Sequence, residues 1–162
     1  MFLRSMTIAA SLLIGAGSAT ALTPGIGETV SDSTFTTAYG QTLRMADLRG
    51  EVVVLTYWAR DCKVCQEQLK ALDYYYRQRP DVGLRVLAIS ADGASSRELR
   101  QAFRGKRIYA LANIQGPFAP LGALPTTYVI DRSGQVRYAG SRAMGIDELN
   151  QVLVPLLRQP QP

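Results

Sequence analysis

Cys62 and Cys65 are the only two thiols in a chain of 162 residues, and two residues separate them. A C-x-x-C pair can staple a loop, supply half of a zinc site, or cycle between dithiol and disulfide. A staple gains little from so short a loop, because the unfolded chain is hardly constrained by it. Two thiolates are also half of the four ligands that a structural zinc site needs. Histidine is absent. That excludes histidine triads and histidine metal ligands, and it removes the commonest general acid or base near neutral pH. The pair therefore points toward reversible two-electron redox work.

Such chemistry depends on what presents the sulfurs. Residues 52–58, Val-Val-Val-Leu-Thr-Tyr-Trp, form a β-branched and aromatic run without strict alternation, as expected of a strand buried on both faces. Beyond them Cys65, Leu69, Leu72 and Tyr76 recur at helical spacing on one apolar face, which ends before Pro80. A cysteine pair that follows a strand and opens a helix sets Cys62 among free backbone N–H groups at the positive end of the helix dipole. Both features favour a thiolate, so Cys62 reads as the nucleophile. Cys65, three residues on, lies on the same side of the first turn and can resolve a mixed disulfide formed at Cys62. Lys63 adds a cation, read first as a solvated lysine, and Val64 adds an apolar neighbour.

The rest of the chain supplies a frame for one domain. Arg4, an apolar run over 6–17 and Ala19-Thr20-Ala21 have the pattern of a signal peptide over residues 1–21. The run is too short to span a bilayer comfortably, so no stable membrane span is expected after cleavage. Residues 22–158 are expected to form the domain and 159–162 a frayed tail. The net charge of +5 is modest and suits solubility as readily as an anionic partner. Residues 22–47 read as an entry segment with one or two short strands, followed by a turn near 47–50. Strand character returns at 84–89 and again at 108–112, with a Gly/Pro-punctuated loop through Pro125. Ser95 and Glu98 predict a capping box for a helix carrying Leu99, Ala102 and Phe103. Residues 126–130 and 135–138 flank Asp131-Arg132-Ser133-Gly134 as a hairpin, and Ile146, Leu149, Leu153 and Leu156 mark a last helix. This order predicts an α/β fold: a central mixed β-sheet flanked by helices on both faces, parallel at first and antiparallel at the hairpin edge.

The run from Val53 to Cys65 resembles the active-site segment of thioredoxin-like proteins. Gly40-Gln41-Thr42-Leu43, Leu48-Arg49-Gly50, Leu124-Pro125-Thr126-Thr127-Tyr128 and Gly134-Gln135-Val136 extend the likeness over nearly the whole mature chain. With the signal segment, the pattern looks most like the exported TlpA/ResA-type thiol-disulfide oxidoreductases. That resemblance implies attack by Cys62, resolution by Cys65, and a cis bond between Leu124 and Pro125 facing the pair. Without it, Pro125 would be a strand-starting proline. The resemblance further implies a periplasmic, monomeric protein working on protein thiols or disulfides, re-reduced by an envelope redox partner. Cytochrome c maturation is one setting it implies, and no cofactor is implied.

Three departures from the family pattern stand out. Asp61 occupies a place where most relatives have tryptophan, and it is expected to cap the helix. Thr56 stands where thioredoxins often bury an acid that manages the proton of the resolving cysteine, and a hydroxyl does not titrate in that range. The stretch 103–125 is short, so a central helix and its acid are expected to be reduced or missing. Asp92 and Glu98 read as a loop residue and a cap partner. Trp58 is expected to pack beside the active-site helix. Of Tyr74, Tyr75 and Tyr76, the last is expected to face inward. The basic residues Arg100, Arg104, Lys106 and Arg107 read as a solvated face or a protein-partner surface, and no nucleic-acid contact is expected, since aromatic interleaving is lacking. Competing readings are a copper-binding metallochaperone, with Met45 or Met144 assisting, and a subunit whose disulfide stays oxidised.

Overall fold

A computed structural model describes residues 23–30 and 33–160. The segment assigned to the signal peptide lies outside the described residues. Seven strands and three α-helices follow one another as β1 (Thr34–Thr37), β2 (Thr42–Arg44), β3 (Val52–Trp58), α1 (Lys63–Arg77), β4 (Leu84–Ser90), α2 (Ser96–Ala102), β5 (Tyr109–Gln115), β6 (Thr126–Ile130), β7 (Val136–Gly140) and α3 (Ile146–Leu157). A 3-10 turn over Met45–Leu48 joins β2 to β3. The strands form one sheet in the order β2-β1-β5-β4-β3-β6-β7. β3 and β5 run parallel to β4, whereas β6 and β7 add antiparallel at one side and β1 and β2 at the other. The expected mixed sheet flanked by helices is therefore present, with an additional antiparallel edge supplied by the entry segment.

β3 is the centre, and every one of its residues is buried. Its side chains divide by the strand period of two. Val52, Val54 and Trp58 enter one core with Leu69, Leu72 and Tyr75 of α1, Leu99 of α2 and Leu149, Leu153 and Leu156 of α3. Val53, Leu55 and Tyr57 enter the other with Phe35, Leu87, Leu111, Tyr128 and Ile130. The lack of alternation in the sequence follows directly, because both faces need apolar cover. All three α-helices contribute to the first core. The second face is closed by Val30, by Met45 and Leu48 of the 3-10 turn, and by Phe118, so helical cover on both faces is met there only by that turn. The reason is handedness: successive right-handed crossovers from β3 to β4 and from β4 to β5 move in one direction and leave α1 and α2 on the same side.

Other elements differ in detail. β5 extends to Gln115, beyond the expected 108–112, because β1 pairs with it over Thr34–Thr37. In α1 the residue turned inward is Tyr75, 1% exposed, while Tyr76 is only partly buried and Tyr74 is exposed. At 100° per residue, position 75 follows Leu72 onto the buried stripe, and Arg79 covers its ring at 4.2 Å. The capping box is present: Ser95 Oγ accepts the Glu98 N–H, and a Glu98 carboxylate oxygen accepts the Ser95 N–H. Among the described residues no helix lies between α2 and β6, in line with the shortened 103–125 stretch, and no helix is long and apolar enough to cross a membrane.

Candidate active site

β3 delivers the chain at Trp58 to a three-residue loop, and α1 begins at Lys63 with Cys62 as its N-cap. Cys62 Sγ accepts the Cys65 N–H at 3.2 Å. This is the arrangement in which a helix terminus stabilises negative charge on sulfur, the sulfur doing what a serine or aspartate oxygen does at other helix starts. Asp61 is therefore not the cap. It is exposed in the loop, one residue too early for its carboxylate to take the capping place that Cys62 holds. Lys63, at the first helical position, and Val64 after it are both exposed, as a solvated lysine requires of the former.

The two cysteines are joined as a disulfide, with Cα atoms 5.2 Å apart, and their surroundings are unequal. Cys62 is partly exposed, whereas Cys65 is 1% exposed and packs in the helix-side core. Only one sulfur of the pair can be reached from outside. The cavity nearest the loop, about 260 Å³ between α1 and α2, is lined by Trp58, Arg60 and Gln66 but by neither cysteine. Cys62, partly exposed and packed against the helix-side core, lies outside that cavity's lining.

Several polar contacts fix the loop. The Arg60 N–H and Nε both donate to Asp92 Oδ2, at 3.0 and 2.9 Å, and its guanidinium also meets Glu98. Gln66 Nε2 donates to Arg60 O at 2.6 Å, and the Cys62 N–H to Ala59 O at 3.2 Å. Trp58 is 3% exposed and meets Phe103 edge-to-face at 5.2 Å. The hydrogen bond from Arg60, aided by the Ser90 hydroxyl, holds the Asp92 carboxyl well below the usual carboxylate range. A depressed folded-state value means that this clamp is intact above the ordinary carboxylate range and is lost only as pH falls through the lowered one. Asp92, read from sequence as a loop residue, is thus the anchor of Arg60, a residue the sequence did not single out.

Pro125 immediately precedes β6. The antiparallel register pairs Tyr57 with Thr126, and continuing it by one residue sets Pro125 opposite Trp58, at the strand end that leads to Cys62. The Leu124–Pro125 peptide bond is cis, as the resemblance implied. Leu124 is partly buried against both cores. The preceding loop is pinned by two buried phenols: Tyr57 donates to Phe118 O at 2.9 Å and Tyr128 to Ala119 O at 2.7 Å. Burial pushes the Tyr57 hydroxyl up to about 12 and raises that of Tyr128, so both remain donors across the neutral range.

Sequence reasoning did not find the polar group beneath the pair. Gln68 is 2% exposed and points from α1 toward the sheet, where its Nε2 donates to Thr56 Oγ1 at 3.1 Å and Thr127 Oγ1 at 2.8 Å. Its Oε1 accepts the Met144 N–H at 2.8 Å. The available signal was a polar residue on the apolar stripe of an otherwise amphipathic helix. Among the described residues no cluster of three or more His, Cys, Asp or Glu side chains could hold a metal ion. Met45 lies in the core on the far face of the sheet from Cys65.

The curated protein thiol-disulfide oxidoreductase ResA of Bacillus cereus is 26% identical over 116 residues, covering 68% of this chain and 66% of that protein. ResA of Geobacillus thermodenitrificans is 25% identical over 136 residues, covering 79% and 76%. A solved secreted thiol-disulfide isomerase from Corynebacterium glutamicum superposes with a TM-score of 0.69 at 19% identity, covering 80% of this chain and 86% of that one. The shared architecture is the thioredoxin-like fold, and the chain is related to thiol-disulfide oxidoreductases that carry it. The AhpC/TSA family model matches residues 26–139, from the entry segment to the hairpin, and the chain belongs to that family.

Proposed function

We propose that the protein is an exported, TlpA/ResA-type thiol-disulfide oxidoreductase that exchanges electrons with protein disulfides or dithiols through Cys62 and Cys65. The observation that carries this reading is the asymmetry of the pair: a reachable sulfur at the start of α1 and a buried one in its first turn. In the reducing direction the Cys62 thiolate attacks one sulfur of a client disulfide, and the client's other sulfur leaves as a thiolate and takes up a proton. Cys65 gives up its proton and attacks Cys62 Sγ. The second client sulfur departs as a thiolate, and the internal disulfide remains. Two electrons have moved to the client. Oxidation of a dithiol is the same sequence reversed.

In this reading the exposed Val64, the partly buried Leu124 and the backbone before the buried Pro125 receive an extended client segment rather than an enclosed small molecule. In this reading Trp58, Asp61 and Lys63 support the site from its loop and helix start. The signal-like segment favours export, and in this reading the protein is a periplasmic monomer, re-reduced by an envelope redox partner, with cytochrome c maturation as one setting. A Cys65→Ser variant tests the proposal. Expressed with its leader, it should accumulate mixed disulfides with specific envelope proteins, visible as bands that collapse on reduction. Recovery of the variant free of any disulfide-linked partner would count against the proposal.

A further inference from the structure

Gln68, Thr56 and Thr127 form a closed polar cluster between α1 and the sheet. Thr56 lies between Val54 and Trp58 on the helix-facing side of β3, and its register partner on β6 is Thr127. Gln68 follows Cys65 by three residues, so the two side chains are neighbours on one helix face. The hydrogen bonds can be assigned completely. Met144 N–H is a donor, so the Gln68 oxygen must face it and the amide cannot be flipped. Both amide hydrogens then go to the two threonine oxygens. The hydroxyls lie 3.1 Å apart, and Thr56 Oγ1 is 3.3 Å from Thr126 O, so Thr127 donates to Thr56 and Thr56 donates to that carbonyl.

Every donor is used, and no member titrates near neutral pH. A buried amide is tolerated only when satisfied in this way. An apolar residue would fill the same place without the need for partners, so the cluster's contribution lies in direction. It ties the turn that carries Cys65 to β3, to β6 and to the segment entering α3.

We infer that Gln68 is a positioning residue for the resolving step, holding Cys65 at the attack distance from Cys62 through an uncharged cluster that neither gives nor takes the resolving proton. This deepens the proposed exchange reaction and rests on it. Because the cluster does not ionise, the rate of resolution should follow the Cys65 thiol alone.

Ellman's reagent, a small aromatic disulfide, separates the steps on the reduced full-length protein. Attack by Cys62 releases one thionitrobenzoate anion, and attack by Cys65 on the mixed disulfide releases a second. The wild type should give two phases, the second with a single inflection against pH. Gln68→Ala should slow the second phase about tenfold, the scale of a lost positioning contact, and leave the first within about twofold. Gln68→Glu keeps the acceptor for Met144 but buries an acid, and should add a second inflection to that phase. Should Gln68→Ala fail to fold, the near-isosteric Thr127→Val carries the same expectation. An unchanged second phase in the folded variant, or a Gln68→Glu profile of wild-type shape, overturns the inference. A wild type that releases one equivalent only would instead overturn the exchange reaction itself.

Discussion

Replacing Cys62 with serine is expected to abolish disulfide reduction, with a loss on the order of a thousandfold or more, as for removal of an essential nucleophile. A serine hydroxyl at the head of α1 could still cap the helix, so folding should survive. The N–H of Cys65 that now points at Cys62 Sγ would find an oxygen in its place. What disappears is the reachable sulfur of the pair, since Cys65 is 1% exposed. The check is turnover of a protein disulfide with dithiothreitol as electron source, alongside far-ultraviolet circular dichroism. Activity near wild type in the folded variant would mean that Cys65, or some group other than a thiol, makes the first attack.

The second large effect concerns stability and a residue with no chemical role. Arg132 sits in the β6–β7 turn, 6% exposed. Its Nη1 donates to Gly50 O at 2.5 Å, and its Nη2 to Val82 O at 2.8 Å and Leu157 O at 3.2 Å. One guanidinium thereby ties together the start of β3, the approach to β4 and the last turn of α3. The carboxyl end of that helix is a favourable place for a cation. Arg132→Ala should cost about 3 kcal/mol, because charge-assisted bonds are lost and three part-buried carbonyls are left without this donor. The measurement is a urea unfolding midpoint, which should fall without a change in slope. Arg132→Lys should recover only part of the loss, since an ammonium cannot reproduce the fork that reaches three carbonyls. A midpoint unchanged in Arg132→Ala would show that water replaces the guanidinium without penalty.

Much of the frame was legible because it is written in local patterns. The run at residues 52–58 announced a strand buried on both sides, Ser95 and Glu98 announced a helix start, and residues 131–134 announced a hairpin. Each depends on neighbours within a few positions, and each is found. The cis bond before Pro125 came from resemblance, not from local chemistry. What remained hidden depends on partners remote in the chain. Gln68 bonds across 59 positions to Thr127 and across 76 to Met144. Arg60 finds its carboxylate 32 positions away in Asp92. Arg132 looked like an ordinary polar turn residue until three distant carbonyls converged on it.

Asp61 and Tyr76 went astray for a different reason, a shift of one residue along a helix. Capping and burial are set by phase: a cap at Cys62 in place of Asp61, and an inward ring at Tyr75 in place of Tyr76, are each a single step of 100°. Thr56 shows the opposite case. Its inability to titrate was plain from its chemistry, yet its significance emerged only when Gln68 and Thr127 were found around it. The site thus departs from a buried acid toward a neutral, fully bonded cluster.

Every functional step above requires Cys62 and Cys65 to act as a reversible two-electron couple. Equilibrating the full-length protein with graded mixtures of reduced and oxidised glutathione, then alkylating free thiols and weighing the products, tests this most directly. The expected result is a single transition between dithiol and disulfide, reached at the same buffer composition from the oxidised and the reduced starting protein. A pair that stays oxidised in every mixture, or a reduced pair that does not re-form its disulfide and instead binds copper(I) one to one, would contradict it.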